Sequence, residues 1–165
     1  MAITTLAYVK ILADLYTRAD TGAPTTASVG VLGDVWLDNS STSATYGNTY
    51  ELTSITTGPT TYVWTLITRD DARISIAITK AEKDYLAIRG IAFELSEDTV
   101  PVDVYPDGSD YTAAEMVCYL CGYGVYQGRG EKSESLGDRS ATHDDKIHGY
   151  PRSIVGTIKR YQAVI

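Results

Sequence analysis

The chain has 165 residues, 44% hydrophobic and 21% charged, which fits one domain, with or without a small insertion, and excludes wholesale disorder. Its 14 Lys and Arg against 21 Asp and Glu leave a net charge of −7, and no basic cluster of the kind that phosphate binding needs is present. No apolar run approaches the roughly eighteen residues of a spanning helix.

The start lacks the basic and apolar regions of a signal peptide, and two cysteines make no disulfide framework. A soluble chain in a reducing cytoplasm, without membrane contact, is expected. Tyr is abundant, with 13 residues against one Phe and two Trp. This suits interfaces and half-wet surfaces, where a large ring with a polar tip is useful, and equally suits strands and helix faces in which Tyr replaces Phe.

Residues 4–19 read as one helix. Leu6, Val9, Leu12, Ala13 and Tyr16 recur at three- and four-residue spacing, and Thr4 or Thr5 is placed to cap it. Thr21-Gly22-Ala23-Pro24 breaks the pattern. Between about Pro24 and Thr65, Thr, Ser and Gly dominate, and Lys and Arg disappear. Three runs there carry the aromatic and β-branched residues of strands, at 34–38, 49–55 and 61–67, separated by Gly47-Asn48 and Gly58-Pro59. A three- or four-stranded antiparallel meander is expected, its small core centred on Trp36 and Trp64.

Helical spacing resumes at Thr68-Arg69-Asp70-Asp71, where Thr68 is placed as a cap. Ile74, Ile78, Ala81, Tyr85 and Ile88 form a core-facing stripe, and Gly90 is placed to stop the helix. Residues 92–105 read as an extended excursion around Pro101. After the turn Tyr105-Pro106-Asp107-Gly108, Ser109 or Asp110 is the expected cap of a helix running to about Tyr123, with Ala114, Val117, Cys118 and Cys121 as its apolar face. A Gly-rich stretch follows. A last helix starts with Pro151 and carries Ile154, Val155, Ile158 and Tyr161 as its stripe. The reading is therefore mainly α: a small helical bundle of residues 1–23 and 66–165, with residues 24–65 as an inserted antiparallel β meander (α+β overall).

Cys118-x-x-Cys121 with His143-x4-His148 is the one set of metal-ligand residue types. Its gap is longer than a zinc finger's, and the Cys pair lies on an apolar helix face where three-residue spacing is what packing needs, so core thiols are expected and no metal. The same pair has no thioredoxin-like context. No nucleophile elbow or phosphate loop occurs, and Asp144-Asp145 beside His143 read as solvated charge. Neither catalytic residues nor a cofactor are expected. Trp36, Tyr50 and Trp64 are candidates for stacking on sugar rings, in which case the chain would be a β-rich glycan or host-surface binding module of a virion protein. The alternative is that both tryptophans are simply the core of a small sheet.

Several features taken in order carry a resemblance. They are Asp70-Asp71-Ala72-Arg73 opening a helix that contains Ala81-Glu82, and Tyr105-Pro106 before the next helix. Then come Lys132-Ser133-Glu134-Ser135-Leu136-Gly137-Asp138-Arg139-Ser140, and Gly149-Tyr150-Pro151 opening a C-terminal helix that ends at Lys159-Arg160-Tyr161. In this order they resemble the head–tail connector (adaptor) proteins of tailed double-stranded DNA bacteriophages. The resemblance covers the N-terminal helix and residues 68–165.

It implies a non-enzymatic subunit of a homo-oligomeric ring, dodecameric like the portal above it. Such a ring extends the DNA channel without sequence-specific binding and docks a stopper or tail-completion protein. It also implies assembly in the host cytoplasm, a final place at the head–tail interface of the virion, and subunit or portal contacts through residues 132–139 and 159–161. The usual compact adaptor lacks a counterpart of residues 24–65.

Overall fold

The computed structural model describes residues 3–123 and 146–158. Of these, 32% are helical and 22% lie in strands, led by a four-stranded sheet, so the protein is a mixed α/β protein and the expected mainly α bundle is corrected. The helical estimate fails in two places. The first helix stops early and its continuation becomes a strand, and the last helix is a single turn preceded by a hairpin.

The chain divides into two compact units, residues 6–73 and residues 1–5 with 74–165. The compositional boundaries at 24 and 65 both fall inside the first of these.

In the unit of residues 6–73, α1 spans only Leu6–Leu12. It ends because Asp14 takes a left-handed conformation, φ 55, which Asp tolerates better than most residues. The Asp14 N–H then donates to Ile11 O at 3.2 Å and the Leu15 N–H to Lys10 O at 3.1 Å, the paired bonds of a Schellman stop. β1 (Arg18–Asp20) runs parallel to β2 (Val35–Asp38), while β2, β3 (Thr49–Thr56) and β4 (Thr61–Ile67) are antiparallel neighbours. The strands from 35 to 67 match the sequence expectation closely; the parallel edge strand does not appear in it.

Register places Trp36, Tyr50 and Leu66 side by side, and Leu52 opposite Trp64. The two tryptophan rings meet edge to face, 5.6 Å apart, a favourable geometry for aromatic quadrupoles. The loop between β1 and β2 lies over this face. Gly22 O accepts from Trp36 Nε1 at 3.0 Å and Ser28 O from Trp64 Nε1 at 3.1 Å. At Gly30 a Cβ would come within 3.1 Å of Leu52 and Trp64 side-chain atoms, so the backbone itself is the packing surface there.

The second unit is built on α2 (Asp71–Arg89), whose first residues belong to the other unit. Ile74, Ala77, Ala81, Tyr85 and Ile88 form its buried stripe, one residue shifted from the expected one, since Ala77 replaces the half-buried Ile78. Gly90, φ 82, ends it.

β5 (Glu94–Leu95) and β6 (Asp103–Val104) form a hairpin from the extended excursion. α3 (Ser109–Cys121) follows, with Gly108 rather than Ser109 or Asp110 as its N-cap and no side-chain cap bond. Ser109 is instead buried and shares a 3.0 Å hydrogen bond with the Tyr85 hydroxyl. Gly122, φ 66, closes α3. β7 (Lys146–Ile147) and β8 (Tyr150–Pro151) form a second hairpin, leading into α4 (Arg152–Val155).

Candidate functional site

The segment that opens with Gly149-Tyr150-Pro151 is held in place in a specific way. Ile147 pairs with Tyr150, leaving His148 and Gly149 as a two-residue hairpin loop. Both have positive φ, 52 and 88, as the tightest hairpin turn demands, and Gly meets that demand without strain. The turn sends the Tyr150 side chain inward. It is 1% exposed, packs near Tyr119 with ring centres 6.0 Å apart, and its hydroxyl donates to Asp84 Oδ2 on α2 at 2.7 Å. Lys80, one helical turn before Asp84, reaches the same oxygen at 2.5 Å.

Burial would raise the Asp84 carboxyl. Hydrogen bonds from Lys80 and Tyr150, with the charges of Lys80 and His148, outweigh it and hold the group below its ordinary value. Burial, then the Asp84 hydrogen bond and charge, push the Tyr150 phenol above its ordinary range, so it stays a donor. Beyond Pro151, Ile154, Val155 and Ile158 are buried. A one-turn helix cannot hold itself in water; this one is held by its apolar side chains and by the Tyr150 anchor. A cleft of about 540 Å³ borders it, between the end of α2, the 106–109 turn, α3 and Thr157.

The arrangement suits holding a segment. Cys118 is buried and its thiol is pushed up to about 12, by burial first and then by the charges of Cys121 and Glu115. Such a sulfur is a poor nucleophile and a poor metal ligand at neutral pH. The two cysteines are not joined in a disulfide. His148 is exposed in the hairpin turn, while His143, Asp144 and Asp145 lie outside the described residues. Among the described residues no group of three or more His, Cys, Asp or Glu is placed to hold a metal, and no helix is long and apolar enough to cross a membrane.

Of the expected contact residues, Lys132, Ser133, Glu134, Ser135, Leu136, Gly137, Asp138, Arg139, Lys159, Arg160 and Tyr161 lie outside the described residues. Trp36, Tyr50 and Trp64 do come together on one sheet face. A sugar needs an open ring face, and Trp36 has none: it is 6% exposed, with the Arg18 guanidinium 4.4 Å over its ring. Both indole N–H groups are also used inside the unit.

Two residues that anchor their units escaped the sequence reading. Asp84 looks like an ordinary surface charge of an amphipathic helix, and only its i, i+4 spacing from Lys80 hints at a role. Lys10 sits among apolar residues yet is 2% exposed. Its ammonium bonds Asp71 at 2.7 Å and Gly47 O at 3.0 Å.

No family model matches the chain, and comparison with curated proteins and with solved structures finds no match either.

Proposed function

We propose that the protein is a head–tail connector subunit of a tailed double-stranded DNA bacteriophage. It acts without catalysis, as part of a homo-oligomeric ring that lies below the portal and docks a stopper or tail-completion protein. The order of motifs along residues 70–161 supports this reading. The carrying observation is the anchored segment at 149–158, where Tyr150 and the buried apolar residues after it hold the start of the C-terminal segment. A subunit that engages a partner through its C-terminal residues, Lys159, Arg160 and Tyr161 among them, needs that segment to leave the body at a defined point. Order already present before docking lowers the entropic cost of binding.

The acidic balance of the chain suits a conduit that DNA passes without sticking, since few phosphates would be neutralised. Ring formation would add apolar burial to a small unit and raise its stability by mass action.

The test is negative-stain microscopy of the purified protein alone and mixed with the purified portal of the same phage. Rings alone, or a new layer on the portal, are the expected result. A protein that remains monomeric and leaves the portal undecorated would refute the proposal, as would measurable enzymatic turnover with a bound cofactor.

A further inference from the structure

Two exposed surfaces in the unit built on α2 differ in charge and share an apolar character. One is the outer face of α2. Ile76 is 73% exposed there, and with Thr79, Lys80, Lys83 and Asp84 it lines a shallow groove of about 400 Å³. The other is the β5–β6 hairpin and its connecting loop. Leu95 and Val100 are 62% and 75% exposed, and Val102 and Val104 are exposed as well. The acids of this hairpin, Glu94, Glu97, Asp98 and Asp103, are all exposed too. Its strands are two residues long and pair only with each other, and Ser96 Oγ accepts from the Val102 N–H at 3.1 Å to hold the loop. Large apolar side chains grouped in this way on a small unit mark an interaction surface more often than chance exposure.

We infer that the acidic, apolar hairpin of one copy docks on the basic, apolar groove of α2 in a second copy of this chain. The inference deepens the connector reading and rests on its homo-oligomeric ring. Charge complementarity selects the occupant. With a net charge of −7, two copies repel over most orientations, so self-association needs a local site where the sign reverses. Lys83 gives the groove its excess positive charge, since Lys80 is paired with Asp84, and the hairpin supplies four acids together with the valines and leucine to cover Ile76. Two lysines are too few to favour a nucleic acid as the occupant. Because hairpin and groove are different surfaces, the contact is head-to-tail, and head-to-tail contacts close into rings or run on as filaments.

The test uses two charge-reversed full-length variants whose changes avoid the Tyr150 anchor. One is Thr79→Glu with Lys83→Glu, which makes the groove acidic; the other is Glu94→Lys with Glu97→Lys and Asp98→Lys, which makes the hairpin basic. Circular dichroism and thermal melts check that each is folded. Mass is then followed by light scattering on a sizing column, and portal binding is followed separately with purified portal of the same phage. Each variant alone should self-associate about tenfold or more weakly than the wild type. An equimolar mixture should recover the wild-type mass, because every hairpin–groove contact in an alternating assembly is again of opposite sign.

Variants that assemble like the wild type would overturn the surface and leave the ring intact. A mixture that fails to recover the mass would also overturn it. A wild type that binds portal but never self-associates would overturn the inference and leave the connector reading standing. One that does neither would remove both.

Discussion

The Tyr150 hydroxyl donates to the Asp84 carboxylate at 2.7 Å across 66 residues of chain, tying the hairpin that opens the C-terminal segment to the middle of α2. Removing only that hydroxyl, by Tyr150→Phe, keeps the ring packing and leaves a partly buried carboxylate oxygen without one of its donors. A loss of about 1–2 kcal/mol is expected. It would be measured as a lower urea midpoint with an unchanged slope and unchanged circular dichroism in water. A midpoint equal to that of the wild type would show that the bond contributes nothing to the anchor.

The same pair sets a pH dependence. Asp84 is held below its ordinary value of 3.8 in the folded chain. A group with a depressed folded value contributes stability above the unfolded value, and this contribution is lost as pH falls through the folded value. The melting temperature should therefore fall faster for wild type than for Asp84→Asn as pH drops below about 4, and the gap between the two should close toward acid. Parallel curves from pH 6 to pH 2.5 would contradict this account.

Lys10 is the counterpart in the unit of residues 6–73. Lys10→Met keeps much of the stem volume but leaves Asp71 and Gly47 O without the ammonium. Breaking a buried pair by removing one partner is costly, and with Asp71 24% exposed about 2–3 kcal/mol is expected. Adding Asp71→Asn should recover part of it, because no unpaired charge then remains. A double-mutant cycle in urea with zero coupling would refute the pairing.

Gly47 tests how closely α1 approaches the sheet loop. It has φ 82, and a Cβ there would lie 2.8 Å from the Ala7 Cβ. Gly22 has φ 77 and nothing within 4 Å of the same position. Both Gly→Ala changes cost left-handed strain, of about 1 kcal/mol, and only Gly47→Ala adds a collision. Its thermal midpoint should fall distinctly further than that of Gly22→Ala; equal losses would mean that α1 can move away.

How much was legible in the sequence follows from how local each feature is. The strands at 35–38, 49–56 and 61–67, the long helix stopped by Gly90, and the helix expected to run to about Tyr123 are written in alternation, periodicity and glycine placement, which act over a few residues. The Trp36–Trp64 contact was expected on the same grounds, as the two indoles of a small sheet.

Tertiary structure alone decided the rest. The periodicity of residues 4–19 is helical throughout, yet the chain leaves the helix at Asp14, where no glycine announces the stop, and residues 18–20 instead pair along one edge with β2. Ser109 and Asp110 are both good caps, but Ser109 is drawn into a buried bond with Tyr85 and Gly108 takes the cap position. The bonds of Lys10 and Asp84 depend on partners 37 and 66 residues away. The motif at 149–151 could be recognised as a pattern in the sequence, whereas its physical role, a buried tyrosine held by a helix carboxylate, exists only once the chain has folded. Periodicity and turn chemistry are properties of neighbours along the chain. Which buried polar group finds which partner is settled by the cost of leaving either one unsatisfied in the assembled core.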